Sequence, residues 1–385
     1  MGQILKVLAV GDPAVYLYKD PRYGIVETFS RENGAEIMFH IVPWAEYYGA
    51  MMDALEGKSD FDVVMAAGHL WLKDFVRKGY FAEADDHEGA FDRQEDILEV
   101  IRKEMETAGK RYLYPSFCDG HILLYRKSVA EKYLGGLVPR VVDTDTIVRM
   151  ASHLHQREPG MAGIALKAHE SEIFLDFLPY LREEGIDAFD EKTHAPAFNT
   201  PEGIRALEKY ISLKESAPEN TDSFGNDELR ETFQNRQCAL AVTWGGQLGF
   251  VMDERCLDKE DVGFSAIKTS WNVTWSFAIS QKSKKKELAN KFLSYLASSP
   301  IDQLVGTYSG APVRESSYTT GEIQPWYPVL LESIRTYAKP LPMMENAGDK
   351  LAPLYEHIHK AFKGIETPAE ALFEAEKEIL KIARG

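Results

Sequence analysis

Within its first 80 residues the chain alternates apolar runs with amphipathic stretches, and that order admits few folds. Strand-like runs at 4–10, 36–42 and 62–66 are separated by helical patterns at 25–33 and 44–55 and followed by another at 71–78. A βαβα order predicts an α/β fold in which a parallel-rich sheet carries helices on both faces. Ligands of such sheets bind at the carboxyl ends of the strands. The loops that matter first are therefore those at Asp12 and Pro13, at Pro43 and Trp44, and from Ala67 to His69.

Beyond residue 114 the pattern changes. Strand-like runs at 121–125, 163–167 and 238–242 are spaced by long helical stretches. Helix starts are well marked. Thr200 precedes Pro201, a capping hydroxyl before a proline at the first helical position, and Ser299 with Pro300 repeats the device. Thr367 and Glu370 form a capping box ahead of Leu372 and Phe373. At 385 residues the chain is too long for one ordinary core, and about 150 residues per domain suggests two bodies. No low-complexity linker separates them, which predicts several short crossings in place of one tether.

The net charge of -16 comes from acids scattered along helices, and the one dense basic run is Lys282 to Lys286. That run reads as a surface loop before a helix, so nucleic acid is not an expected partner. No apolar stretch approaches the roughly 20 residues of a membrane-spanning helix. Cys118, Cys238 and Cys256 are too few and too dispersed for a zinc ribbon or a disulfide framework. His153 with His155, and His357 with His359, sit two apart and would point to different faces of a helix, so no metal is expected. Nucleophile elbow, phosphate loop and dinucleotide fingerprint are all missing, and no cofactor is expected. Carboxylates abound, so a glycosidase pair stays open on composition alone, although most such groups line solvated helix faces.

Four segments in order carry a family resemblance. The first runs from Trp44 through Leu55 to Met65 and on to Gly79–Glu83; the second runs from Tyr114 through Asp119, Gly120 and His121 to Lys127. The third ends Cys238, Ala239, Leu240, Ala241, Val242, Thr243, Trp244, and the fourth covers 283–296 followed by 309–314. Together they resemble the family 1 extracellular solute-binding proteins of ABC importers, the group containing the maltose-binding protein. The resemblance implies a two-lobe periplasmic-binding-protein fold, type II-like, with a ligand cleft between lobes. It implies a first lobe of residues 1–115 plus about 270–310, and a second of about 116–269 plus 311–385. It also implies export to the periplasm or cell exterior, as a free or lipid-anchored protein. Because residues 1–3 run straight into the first strand, no signal peptide is read in the chain as written.

A neutral sugar offers hydroxyls and a faintly apolar C–H face, so its receptor needs aromatic platforms and paired hydrogen-bonding groups. Trp44 follows an expected strand and Trp71 sits at a loop-helix junction, both on the first lobe, and Trp244, Gly245 and Gly246 end a strand of the second. The glycines would let backbone approach a ligand. Trp271 and Trp275 lie on the second crossing, where stacking on a ligand and packing in the hinge are equally open. The resemblance adds Asp119 as a crossing carboxylate, Asp12 in the first loop, His69 after the third strand, and Arg314 after the third crossing. Asp12 has a second reading, an Asx turn before Pro13. Each tryptophan also has one, as packing for its own lobe. Trp244 stands two residues earlier than the family's stacking tryptophan and Leu351 replaces another aromatic, so maltose itself is not implied.

The expected function is reversible capture of a mono- or oligosaccharide by hinge closure, with a membrane permease as partner, a monomeric state and no catalysis. Two other readings remain. Carboxylates facing the ligand would suit a polyamine or amino acid, and the abundance of acids would suit a glycan-processing enzyme.

Overall fold

The computed structural model describes residues 3–84 and 93–382. Among these residues the main strands in chain order are β1 (Gln3–Val10), β2 (Ala35–Val42), β3 (Val63–Ala67), β4 (Leu113–Arg126), β5 (Val141–Val142), β6 (Ala162–Ala165), β7 (Cys238–Trp244), β8 (Val262–Ile267) and β9 (Asn272–Ile279). A two-residue hairpin, Glu106–Thr107 with Lys110–Arg111, stands apart from them. The chain divides into two units. The first comprises Met1–Asp119, Val273–Tyr327 and Met343–Glu345, and the second Gly120–Asn272, Pro328–Pro342 and Asn346–Gly385.

In the first unit β1 lies between β2 and β3, parallel to both, and β9 is antiparallel to β3. All five residues of β3 are buried, as a strand covered on both faces requires. β2 alternates, with Ala35, Ile37 and Phe39 inward and Glu36, Met38 and His40 outward, the mark of an edge strand with one wet face. One sheet face packs Tyr18, Phe39, Phe277 and Phe292, with Phe29 stacked edge-on to Phe292 at 5.0 Å. Tyr47 and Met51 of the helix Trp44–Glu56 are fully buried as well, and the Tyr47 hydroxyl donates to the Met65 carbonyl.

In the second unit β7 lies between β6, which it parallels, and β4, which it opposes; β8 is antiparallel to β4 and parallel to β5. The sheets are thus mixed, because β4 and β9 are the strands on which the chain passes between units and each runs against its neighbours. Gly163 in β6 has the backbone of Ala151 so close that an added Cβ would lie 1.9 Å from its carbonyl oxygen, which seats the helix Thr144–Leu154 on the sheet. Phe174 and Phe177 of the helix Ile173–Glu183 complete the core with Tyr210 and Tyr355.

Caps are placed largely as expected. Thr200 accepts from the Gly203 amide, and Thr367 and Glu370 exchange reciprocal bonds. The helix Ser299–Tyr308 instead has Ser298 at its N-cap, with no side-chain cap bond. The 71–78 helix begins as a π-turn, Gly68–Leu72, and becomes α only over Lys73–Arg77.

Residues 311–327, which the sequence reading puts in the second body, pack with the first unit. Asp302 draws them in: its carboxylate accepts from the Val313 and Arg314 amides and the Ser317 hydroxyl. Burial pushes the Asp302 carboxyl up to about 6 against the pull of those bonds. A carboxyl that is more basic folded than unfolded makes the native state bind the extra proton, so its contribution to stability falls as pH rises from about 4 to 6. Relative to Asp302→Asn, which cannot ionise, the native protein should lose about 2–3 kcal/mol between pH 4 and pH 7. Urea denaturation of both proteins at the two pH values checks this; a pH-independent difference would remove Asp302 as the source.

Candidate functional site

In the first unit, candidate groups gather at the carboxyl ends of β1 and β3. Asp12 caps the helix Pro13–Lys19 by accepting from the Ala14 amide at 3.1 Å, so the Asx reading is realised. Burial, and then the neighbouring Asp119 carboxylate, hold the Asp12 carboxyl well above the usual range, with the Ala14 amide opposing. Asp12 therefore presents a neutral acid more readily than a second negative charge. Both residues are buried.

Trp44, Trp71 and Trp275 form one aromatic cluster. Trp44 meets Trp275 edge-on at 5.6 Å, Trp71 meets Trp275 at 6.1 Å, and Trp44 and Trp71 lie 6.5 Å apart. The structure adds Tyr48, one turn after Trp44 on the same helix face and 6.1 Å from Trp71. Trp44 and Tyr48 are the exposed members, at 37% and 43%, while Trp71 is buried and stacked on Phe75 at 6.2 Å. The available apolar platform is therefore Trp44 with Tyr48, and Trp71 supports it from beneath.

His69 lies deeper. It is 1% exposed with Nδ1 3.9 Å from Glu104, whose carboxylate also accepts from the Thr274 amide of β9. Gly68 makes room for that arrangement, since a Cβ there would lie 2.4 Å from the Glu104 carbonyl oxygen. The surroundings of His69 are those of a packing element tying the π-turn to β9.

Arg314 departs furthest from its expected role. It is fully buried, its Nε and Nη2 donating to the Ala297 carbonyl at 3.2 and 2.7 Å and its Nη1 to the Arg93 carbonyl at 3.0 Å. Ala297 caps the helix Lys286–Leu296, so Arg314 satisfies a helix-end acceptor and is not presented for a ligand.

In the second unit Trp244 ends β7 and pairs in register with His121 of β4. Their rings lie 4.4 Å apart, and Trp271 meets Trp244 at 5.3 Å. His121 and Trp271 are also joined through the backbone, the Trp271 amide donating to His121 Nδ1 and the His121 amide to the Trp271 carbonyl, both at 3.2 Å. Gly245 and Gly246 form a buried 3-10 turn with Gln247 directly after Trp244.

Lys167, two residues beyond β6, completes this group. It is fully buried, with its ammonium 3.1 Å from the centroid of the Trp244 ring and 3.6 Å from an Asp176 oxygen. Asp176, one turn into its helix, also accepts from the Lys167 amide at 2.9 Å. Burial raises the Asp176 carboxyl while Lys167 opposes the shift. Burial, then the charges of Lys167 and Arg182, hold the His121 imidazole well below its usual value, so it is neutral at physiological pH. Sequence reasoning missed Lys167, His121, Asp176 and Tyr48; the signal available for Lys167 was its place just past a strand end parallel to the one carrying Trp244.

Two open depressions of the second unit, about 660 Å³ beside Ile211 and Ile365 and about 760 Å³ beside His155 and Phe224, contain none of these groups. Among the described residues no group of histidine, cysteine and carboxylate side chains is arranged to hold a metal ion.

The model of the bacterial extracellular solute-binding protein family matches residues 19–302. A mannitol-binding protein of Pseudomonas aeruginosa is 26% identical over 305 residues, 73% of this chain and 68% of its own. A probable amino-acid ABC transporter periplasmic-binding protein of Sinorhizobium fredii is 21% identical over 374 residues, 92% of this chain and 84% of its own. The maltose-bound MalE3 structure from T. maritima superposes with a TM-score of 0.88 at 21% identity, covering 99% of this chain and 100% of that one. That likeness establishes the two-lobe α/β binding-protein fold.

Proposed function

Because this chain belongs to the bacterial extracellular solute-binding proteins, we propose that it is the capture component of an ABC importer for a carbohydrate or polyol. The observation that carries the reading is aromatic: each unit sets tryptophan at the ends of its strands, Trp44 with Tyr48 in the first and Trp244 with Trp271 in the second. Indole faces suit the C–H faces of sugars. Asp12 and Asp119 in the first unit and His121, 4.4 Å from Trp244, in the second are buried hydrogen-bonding groups, and such groups penalise a ligand that lacks the matching hydroxyl. The mannitol-binding relative supports this class of solute.

In this reading the solute is held reversibly and released unchanged to a membrane permease. Hinge closure is taken from the class, and a solute drives it only by as much as it prefers the closed state. The family is extracellular, and no described helix is long and apolar enough to cross a membrane. A monomeric state, a free or lipid-anchored mature form and the absence of turnover belong to the proposal.

A saturating neutral sugar or polyol should raise the melting temperature by several degrees, since ligand at one hundred times Kd adds about 2.7 kcal/mol. Thermal shift and calorimetry with sugars, polyols and amino acids provide the check, with a chromogenic glycoside as the control for turnover. The amino-acid relative favours a second reading, an amino-acid receptor. Heat released by amino acids and none by sugars would select it.

A further inference from the structure

The Lys167 ammonium is a charge buried next to an aromatic ring that the proposed function assigns to solute. An indole face is the surface on which proteins bind cations, whether a lysine of their own or the ammonium of a ligand. In this chain the Trp244 ring already holds Lys167 Nζ, 3.1 Å from its centroid. The charge is anchored from behind, since Asp176 holds both the Lys167 amide, at 2.9 Å, and its ammonium, at 3.6 Å. His121, 4.4 Å from Trp244 on the neighbouring strand, feels the same positive field from Lys167 and Arg182. The positive end of the Lys167–Asp176 pair thus faces the aromatic group that the proposed function assigns to solute.

We propose that Lys167 is a specificity-determining residue, which makes the second unit's contribution to the site cation-excluding, so that the solute is a neutral or anionic polyhydroxyl compound and not a polyamine or amino sugar. The inference rests on the carbohydrate reading for its choice of ligand. Its physical basis is independent of the ligand's name: a second cation near Trp244 meets an occupied ring face and a like charge in a poorly solvated place. Partial compensation by Asp176 limits the discrimination to roughly ten- to a hundredfold.

The test uses neutral and amino pairs on the intact protein: D-glucose with D-glucosamine, D-galactose with D-galactosamine, and D-mannitol with 1-amino-1-deoxy-D-mannitol. Putrescine and succinate are included as small cationic and anionic probes. The wild type should bind the neutral member of a pair at least about tenfold more tightly than its amino counterpart and should not bind putrescine. Lys167→Arg, which keeps a charge that stacks on indole, should preserve the ratio. Lys167→Met alone strands the buried Asp176 carboxylate, so the folded comparison is Lys167→Met with Asp176→Asn, which removes both charges. That double variant should narrow the ratio about tenfold. An unchanged ratio in a folded double variant, or putrescine binding to the wild type, overturns the inference. If the wild type binds none of the neutral compounds the carbohydrate reading falls, and the inference is then decided by the small probes: binding of succinate upholds it and binding of putrescine overturns it.

Discussion

Trp244→Ala should eliminate solute binding and lower stability by about 3–5 kcal/mol, the usual range for deleting a buried aromatic side chain. The two effects have separate origins. Binding is lost because the ring that positions His121 and Trp271 at this strand end disappears, and a buried aromatic anchor is worth about 2 kcal/mol or more, at least thirtyfold in affinity. Stability is lost because His121, Trp271 and Lys167 all pack against the ring. Removing it leaves the Lys167 ammonium with Asp176 at 3.6 Å and no indole face. Trp244→Phe separates the contributions. A phenyl ring still offers a face to Lys167, so stability should fall by only about 1–2 kcal/mol, while reduced stacking area weakens binding about tenfold. Calorimetry on the sugar or polyol that gives the largest thermal shift, paired with urea denaturation, measures both. Undiminished affinity in a folded Trp244→Ala protein would remove this residue from the site.

The second large effect is expected at Arg314. Replacement by Met should destabilise the first unit by about 3–5 kcal/mol and leave the affinity of the folded protein unchanged. Three guanidinium bonds serve two backbone carbonyls, those of Ala297 and Arg93, in a fully buried place. Hydrogen bonds from a charged donor contribute about 1.5–3 kcal/mol each, and their loss leaves buried acceptors unsatisfied. Two units need not unfold together, so the loss should be read from the transition of the first. A drop in affinity without a drop in stability would restore Arg314 as a solute contact.

These two residues show where sequence reasoning reaches and where it stops. The strand-end position of Trp244 was readable because it is a local matter: an apolar run of strand length ends in a tryptophan followed by two glycines, and strand ends are where α/β sheets bind ligands. The buried bonds of Arg314 were not readable because an arginine in a loop has no sequence pattern that tells a helix-capping role from a ligand-binding one. The deciding partners, Ala297 and Arg93, lie in two other segments of the chain. Asp12 falls between these cases. Its turn before Pro13 is local and readable, whereas the Asp119 carboxylate that raises its proton affinity arrives from far along the chain.

By itself the sequence determined the elements and their order. Strand periodicity, the proline and threonine helix starts and the uniformly apolar β3 act over two to four residues, and they specify an α/β chain of strands and helices. Only the tertiary structure decided which charges are buried and what faces what. Lys167 has the composition of an exposed strand end, yet it is fully buried because Asp176 and the Trp244 ring converge on it. The reason is energetic: a buried ammonium is tolerable only with a compensating partner. Here Asp176 lies nine residues away and Trp244 on a separate strand, so their convergence is a property of the packed sheet and not of any window of sequence.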